Sequence, residues 1–148
     1  MRRRDFFLAL PLLALASAAR AEEHAATAGQ NVDLAPVAIP IVSGGRVVNY
    51  VFLNIRINLT PTANITALRA HEPYFRDALI RAAHRTPFSR ADDLNSVDQP
   101  RLKAFLLQQI VAFGGPRAVQ SIVVVTETPR RRLPAPRPGG APVRPPLG

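Results

Sequence analysis

The sequence predicts an α+β domain in which a small sheet carries two helices packed on one face. Three observations lead there. A strand with strict alternation is written over residues 51–59, two stretches at 73–84 and 98–113 repeat their apolar residues at helical spacing, and a β-branched run closes the region at 119–127. Strands at both ends with helices between them segregate the helices to one side of an antiparallel sheet. The chain shows no internal repeat.

The elements follow in order. The stretch LAPVAIPIV (34–42) is apolar but contains Pro36 and Pro40. Proline has no donor for a sheet ladder, so this is an edge strand or an extended lead-in and not a central strand. Ser43-Gly44-Gly45-Arg46 is a turn, because paired glycines accept positive φ without a Cβ clash. In YVFLNIRINL, Val51, Leu53, Ile55, Ile57 and Leu59 alternate with Phe52, Asn54, Arg56 and Asn58. Successive side chains on a strand point to opposite faces, so one face is aliphatic and the other largely polar. That pattern belongs to a sheet covered on one side.

Pro73 opens a helix in which Phe75, Leu79 and Ala82 form one stripe, while Arg76 and Asp77 face away and Asp77 pairs with Arg81 one turn later. Residues 64–71 form a preceding turn or short helix, separated by Pro73. In the second helix Leu102, Phe105, Leu106, Ile110 and Phe113 recur at helical spacing. Asp98 is its N-cap and Gly114-Gly115-Pro116 its stop. Residues 122–125 (IVVV) are apolar on both faces, which predicts a more buried strand than the alternating one.

The flanks differ from the domain. The opening MRRRDFFLALPLLALASAARAEE has a positive start, an apolar run over 6–19 and an Ala19-Arg20-Ala21 cleavage site. Arg3 and Arg4, one variable residue, then Phe6 and Phe7 resemble the twin-arginine export motif, whose transporters move folded proteins. The run is shorter than the roughly 20 residues a membrane-crossing helix needs, and Pro11 interrupts it. The expectation is a twin-arginine-type signal at 1–21, cleaved after Ala21, and a periplasmic location. The alternative is an uncleaved anchor at the periplasmic face of the inner membrane. A linker at 22–33, the α+β domain at 34–128 and a tail at 129–148 complete the organisation. The tail holds seven of the fifteen prolines and no acid, and is expected to be disordered, extended and solvated.

Composition restricts the chemistry. With no cysteine, disulfides, thiolate metal sites and catalytic thiols are excluded. Much of the formal charge of +9 sits outside the domain, in Arg2, Arg3, Arg4 and Arg20 and in the tail's Arg130, Arg131, Arg132, Arg137 and Arg144. There is no Gly-x-Ser-x-Gly elbow, no phosphate-binding Gly-rich loop and no His-Glu-x-x-His pair. His71 and His84 lie too far apart along one helix to share a metal, and His24 falls in the linker. Asp92, Asp93 and Asp98 do not match a calcium loop and read as loop acids with a helix cap. The expectation is a protein that is not an enzyme and needs no cofactor or metal. Arg130, Arg131 and Arg132 are candidates for binding an anionic surface. They lack interleaved aromatics, which argues against a nucleic-acid partner.

Over about two-thirds of the chain, the ordered set FLNIRINL, HEPYFRDALIRAAH, RLKAFLLQQIVAF and AVQSIVVVTE resembles the periplasmic domain of the FliL family of flagellar basal-body-associated proteins. Arg76, Asp77, Leu102 and Lys103 carry the match. The resemblance implies a stomatin-like (SPFH-like) domain that acts in motility without catalysis. It implies a homo-oligomer whose partner is the flagellar stator or basal body. Family members are held by an N-terminal transmembrane helix and end near the last strand, whereas this chain has a cleavable-looking signal and a basic Pro-rich tail. The alternative role is a general periplasmic envelope-binding module whose tail associates with anionic surfaces such as the inner membrane.

Overall fold

Aliphatic residues at alternate positions make β2 (Arg46–Leu59) a strand with one buried face, and Val51, Leu53, Ile55, Ile57 and Leu59 are all 1% exposed or less. The structure, a computed structural model, describes residues 29–137. The expected export signal, with Arg3, Arg4, Phe6, Phe7, Ala19 and Ala21, lies outside the described residues, as does the tail beyond residue 137. β1 (Asn31–Ser43) pairs antiparallel with β2 from Ser43↔Arg46 to Asn31↔Asn58. The turn between them places Gly44 at φ 57° and Gly45 at φ 75°, the paired left-handed conformation that a tight hairpin requires. β3 (Val119–Pro129) pairs antiparallel with the other side of β2, so the strand order is β1-β2-β3.

The helices α1 (Ile65–Ala70), α2 (Glu72–Arg85) and α3 (Gln99–Gly114) connect β2 to β3 and cover one face of the sheet. Asn64 caps α1 by accepting from the Ala67 amide at 3.0 Å, and Asp98 caps α3 by accepting from Arg101 at 3.2 Å. Gly115 ends α3 at φ 85°. Phe75, Leu79 and Ala83 from α2 and Leu102, Leu106 and Ile110 from α3 meet the β2 face in one core. The α+β class and the one-sided helical layer are as the sequence predicts. So is β1 as an edge strand, where proline's missing donor is tolerated.

Four expectations are corrected. β3 is not the more buried strand: it lies at the sheet edge, none of its residues is buried, and Val123 and Val125 are 41% and 52% exposed. Both β1 and β3 are edge strands, but α1 and α2 pack over β1 and bury six of its residues, whereas β3 meets only α3 and stays half-covered. On α2 the buried stripe ends on Ala83 and not Ala82, as a spacing of four residues per contact requires. Phe113 leaves the core stripe of α3 and stacks on the His71 ring at a centroid separation of 3.4 Å. Both segment boundaries move. β1 begins at Asn31, inside the expected linker, and the chain stays bound to the domain past Pro129, with the Arg130 amide donating to Tyr50 O at 2.7 Å.

The core ranks far above the outer face in stability. Ile55→Ala should cost about 2–5 kcal/mol in urea unfolding of the purified protein. Arg56→Ala, on the solvent side of the same strand, should leave the urea midpoint nearly unchanged.

Candidate interaction surface

The sheet face away from the helices is open, and alternation along β2 decides what it displays. Arg56 grips Asp33 with two bonds, Nε to Oδ1 at 2.7 Å and Nη2 to Oδ2 at 3.0 Å. Asn54 donates to Thr126 at 2.5 Å and Asn58 to Ser121 at 2.8 Å, giving a polar ladder across three strands. The guanidinium holds the Asp33 carboxyl below the ordinary carboxylate value. Beyond this ladder Phe52 stands 45% exposed, between Ala38 on β1 and Thr128 on β3.

The two sheet edges are unlike. On β1, the Ala35 amide donates to Glu72 Oε1 of α2 at 2.9 Å and the Val42 amide to Ser89 Oγ at 2.7 Å, so side chains close that edge. Among the described residues, no side chain or loop hydrogen-bonds the backbone of β3 from outside the sheet. β3 is held instead through its inward Glu127 carboxylate, which accepts from the Val97 amide at 2.6 Å and from Gln99 Nε2 at 2.7 Å. Val125 falls at the register shift between Asn54↔Thr126 and Ile55↔Val124, and it is the most exposed apolar residue of the strand. The result is an open edge with β-branched side chains, a template for a further strand.

Arg130, Arg131 and Arg132 leave this sheet along a pinned path. The buried Asn49 side chain donates to Arg131 O at 2.8 Å and to Leu94 O at 3.0 Å. Asn95 binds Leu133 twice, accepting from its amide at 2.6 Å and donating to its carbonyl at 2.8 Å. The three arginine side chains are exposed along this strap. Asp93 in turn holds Asn95, accepting from its amide at 2.8 Å, and accepts from Ser96 Oγ at 2.5 Å. The Ser96 hydroxyl, then the Asn95 amide, keep the Asp93 carboxyl below its ordinary value.

The remaining predicted groups do not converge. Asp92 pairs with Arg90 at 2.7 Å, Asp98 caps α3, and His84 lies 2.8 Å from the Ile80 carbonyl. Among the described residues no group of three or more His, Cys, Asp or Glu is placed to hold a metal, and no helix is long and apolar enough to cross a membrane. Asn49, Asn95 and Glu127 escaped the sequence reading. Asn49 had a signal: it is a polar residue in phase with the buried positions 51–59. A scan against protein-family models finds no match to the chain, and a search of curated proteins finds no similar sequence.

Acid should loosen the strap. A carboxylate depressed in the fold adds stability that is complete above its unfolded value, near 3.9, and is lost as pH falls through the lower folded value. Hydrogen exchange of the Leu133 amide should therefore accelerate as pH drops below about 3.9, relative to β2 amides corrected for intrinsic rate. Asn95→Ala should give fast Leu133 exchange at neutral pH.

Proposed function

We propose that this chain is a non-catalytic, FliL-like periplasmic protein that self-associates and binds membrane machinery, with the flagellar basal body and stator as the partner in motility. The observation that carries the reading is the open β3 edge. Two copies pairing antiparallel along β3 would satisfy the free backbone groups and bring Val123 and Val125 of each copy into contact. Support from the sequence lies in the ordered strand–helix–helix–strand motifs around Arg76, Asp77, Leu102 and Lys103. Of these, Leu102 belongs to the core, while Asp77 pairs with Arg81 at 2.7 Å and Arg76 lies 3.9 Å from Glu72 along the surface of α2. An SPFH-like arrangement belongs to the same proposal, as do cleavage after Ala21 and export through the twin-arginine signal.

A second reading rests on Arg130, Arg131 and Arg132, three exposed guanidinium groups presented from a strap fixed at Asn49 and Asn95. It makes the protein a general envelope module bound to anionic lipid, with attraction of about 1 kcal/mol per arginine near the surface.

Two measurements separate the readings. Light scattering on the purified full chain should give an oligomer for wild type and a monomer for Val125→Lys, which adds charge at the edge without touching the core. A deletion strain should lose swimming, and Val125→Lys should fail to restore it. Normal swimming of the deletion strain together with a monomeric wild type overturns the flagellar reading. Salt-sensitive flotation with phosphatidylglycerol vesicles, lost on replacing the three arginines by alanine, is the result expected from the envelope reading.

A further inference from the structure

The helical layer carries a second surface that neither the sheet edge nor the strap uses. Between α2 and α3 opens a cleft of about 660 Å³, within the range of roughly 300–1,000 Å³ found for ligand sites. Its floor is apolar: Phe88 is 4% exposed, and Phe105 lies against it at a centroid distance of 6.1 Å, with Ala78 and Ala82 half-buried beside them and Ala104 exposed at the wall. Its rim is cationic. Arg81 and Arg85 stand on one face of α2, four residues apart, and Arg101 faces them from α3, its guanidinium 6.0 Å from the Phe88 ring.

Electrostatics leaves this rim unbalanced. Like charges four residues apart on a helix repel. Arg81 is compensated by Asp77, whose Oδ2 lies 2.7 Å from Nη2. Among the described residues Arg85 and Arg101 have no carboxylate within ion-pair distance, and no acidic side chain lines the cleft. Gln108, Gln109 and Thr86 add donors and acceptors at the mouth.

We propose that this cleft is a binding site for an acidic peptide segment, with an apolar side chain seated between Phe88 and Phe105 and carboxylates held by Arg85 and Arg101. Charge complementarity selects the occupant. The chain's own tail is excluded, since residues 129–148 contain arginines and no acid. The Gln108 and Gln109 amides at the mouth can pair with a peptide backbone, and the apolar floor takes a side chain that a lipid headgroup lacks. The site is independent of β3 self-association and lies on the opposite side of the sheet from the polar ladder.

The test is fluorescence anisotropy of the full chain with a fluorescein-labelled peptide built from Glu, Leu and Phe, beside its Glu-to-Gln counterpart. Saturable binding of the acidic peptide is expected, weakened by salt and lowered about tenfold or more by Arg85→Ala or Arg101→Ala. Both arginines are exposed, so circular dichroism of these variants should match wild type. Ala78→Phe, which narrows the cleft and leaves every charge in place, should also abolish binding. Arg46→Ala in the hairpin should not affect it, and Val125→Lys should bind normally even where self-association is lost. Equal binding of the Gln peptide, binding insensitive to the arginine variants, or no saturable binding overturns the proposal. So does loss of phosphatidylglycerol-vesicle flotation in Arg85→Ala and Arg101→Ala without any peptide affinity.

Discussion

Burial of one face of β2 is the constraint on which the rest of this structure depends. Five aliphatic side chains from Val51 to Leu59 leave water together, each contributing about 1.5–3 kcal/mol. They can do so only if β1 and β3 flank the strand and α2 and α3 cover it. The hairpin at Gly44 and Gly45, the caps at Asn64 and Asp98, and the Glu127 tie between β3 and the start of α3 all serve that closure. Cross-strand pairs on the other face, such as Arg56 with Asp33, are solvent-exposed and add little by comparison. The sheet's solvent face is therefore free to vary without endangering the fold.

That division leaves distinct surfaces with distinct chemistry. One edge is sealed by Glu72 and Ser89, while the other keeps its backbone open beside Val123 and Val125. Natural sheets ordinarily blunt a long apolar edge with charge or proline, and here proline appears only as β3 ends at Pro129. On the helical side the chemistry reverses: Arg85 and Arg101 ring an apolar cleft without acid. The open strand edge and the cationic cleft thus lie on separate layers of the fold.

Some of this was legible in the residues. The alternation over 51–59 specified a half-buried strand because the side-chain period of a strand is two. Asp98, the glycine pairs at 44–45 and 114–115, and the stripe beginning at Phe75 and Leu79 are local signals with local causes. Phe113 and Ala82 were misplaced because helical spacing names a face but not its limits. Phe113 has a partner in His71, a residue of the α1–α2 junction that no local pattern connects to α3. The strap was illegible for the same reason: composition from Pro129 onward is that of a solvated tail, yet Asn49 and Asn95 bind it through its backbone, which carries no compositional signature.

The sequence by itself determined the class of the domain, the order of its elements and the aliphatic face of β2, because each follows from the periodicity of one segment. Tertiary structure decided which strand is central, which edge is open and which arginines share a cleft. Those properties depend on neighbours distant in the chain. The run IVVV has the same composition wherever it sits, and only its place in the fold sets Ile122 and Val124 against the core while leaving Val123 and Val125 to solvent.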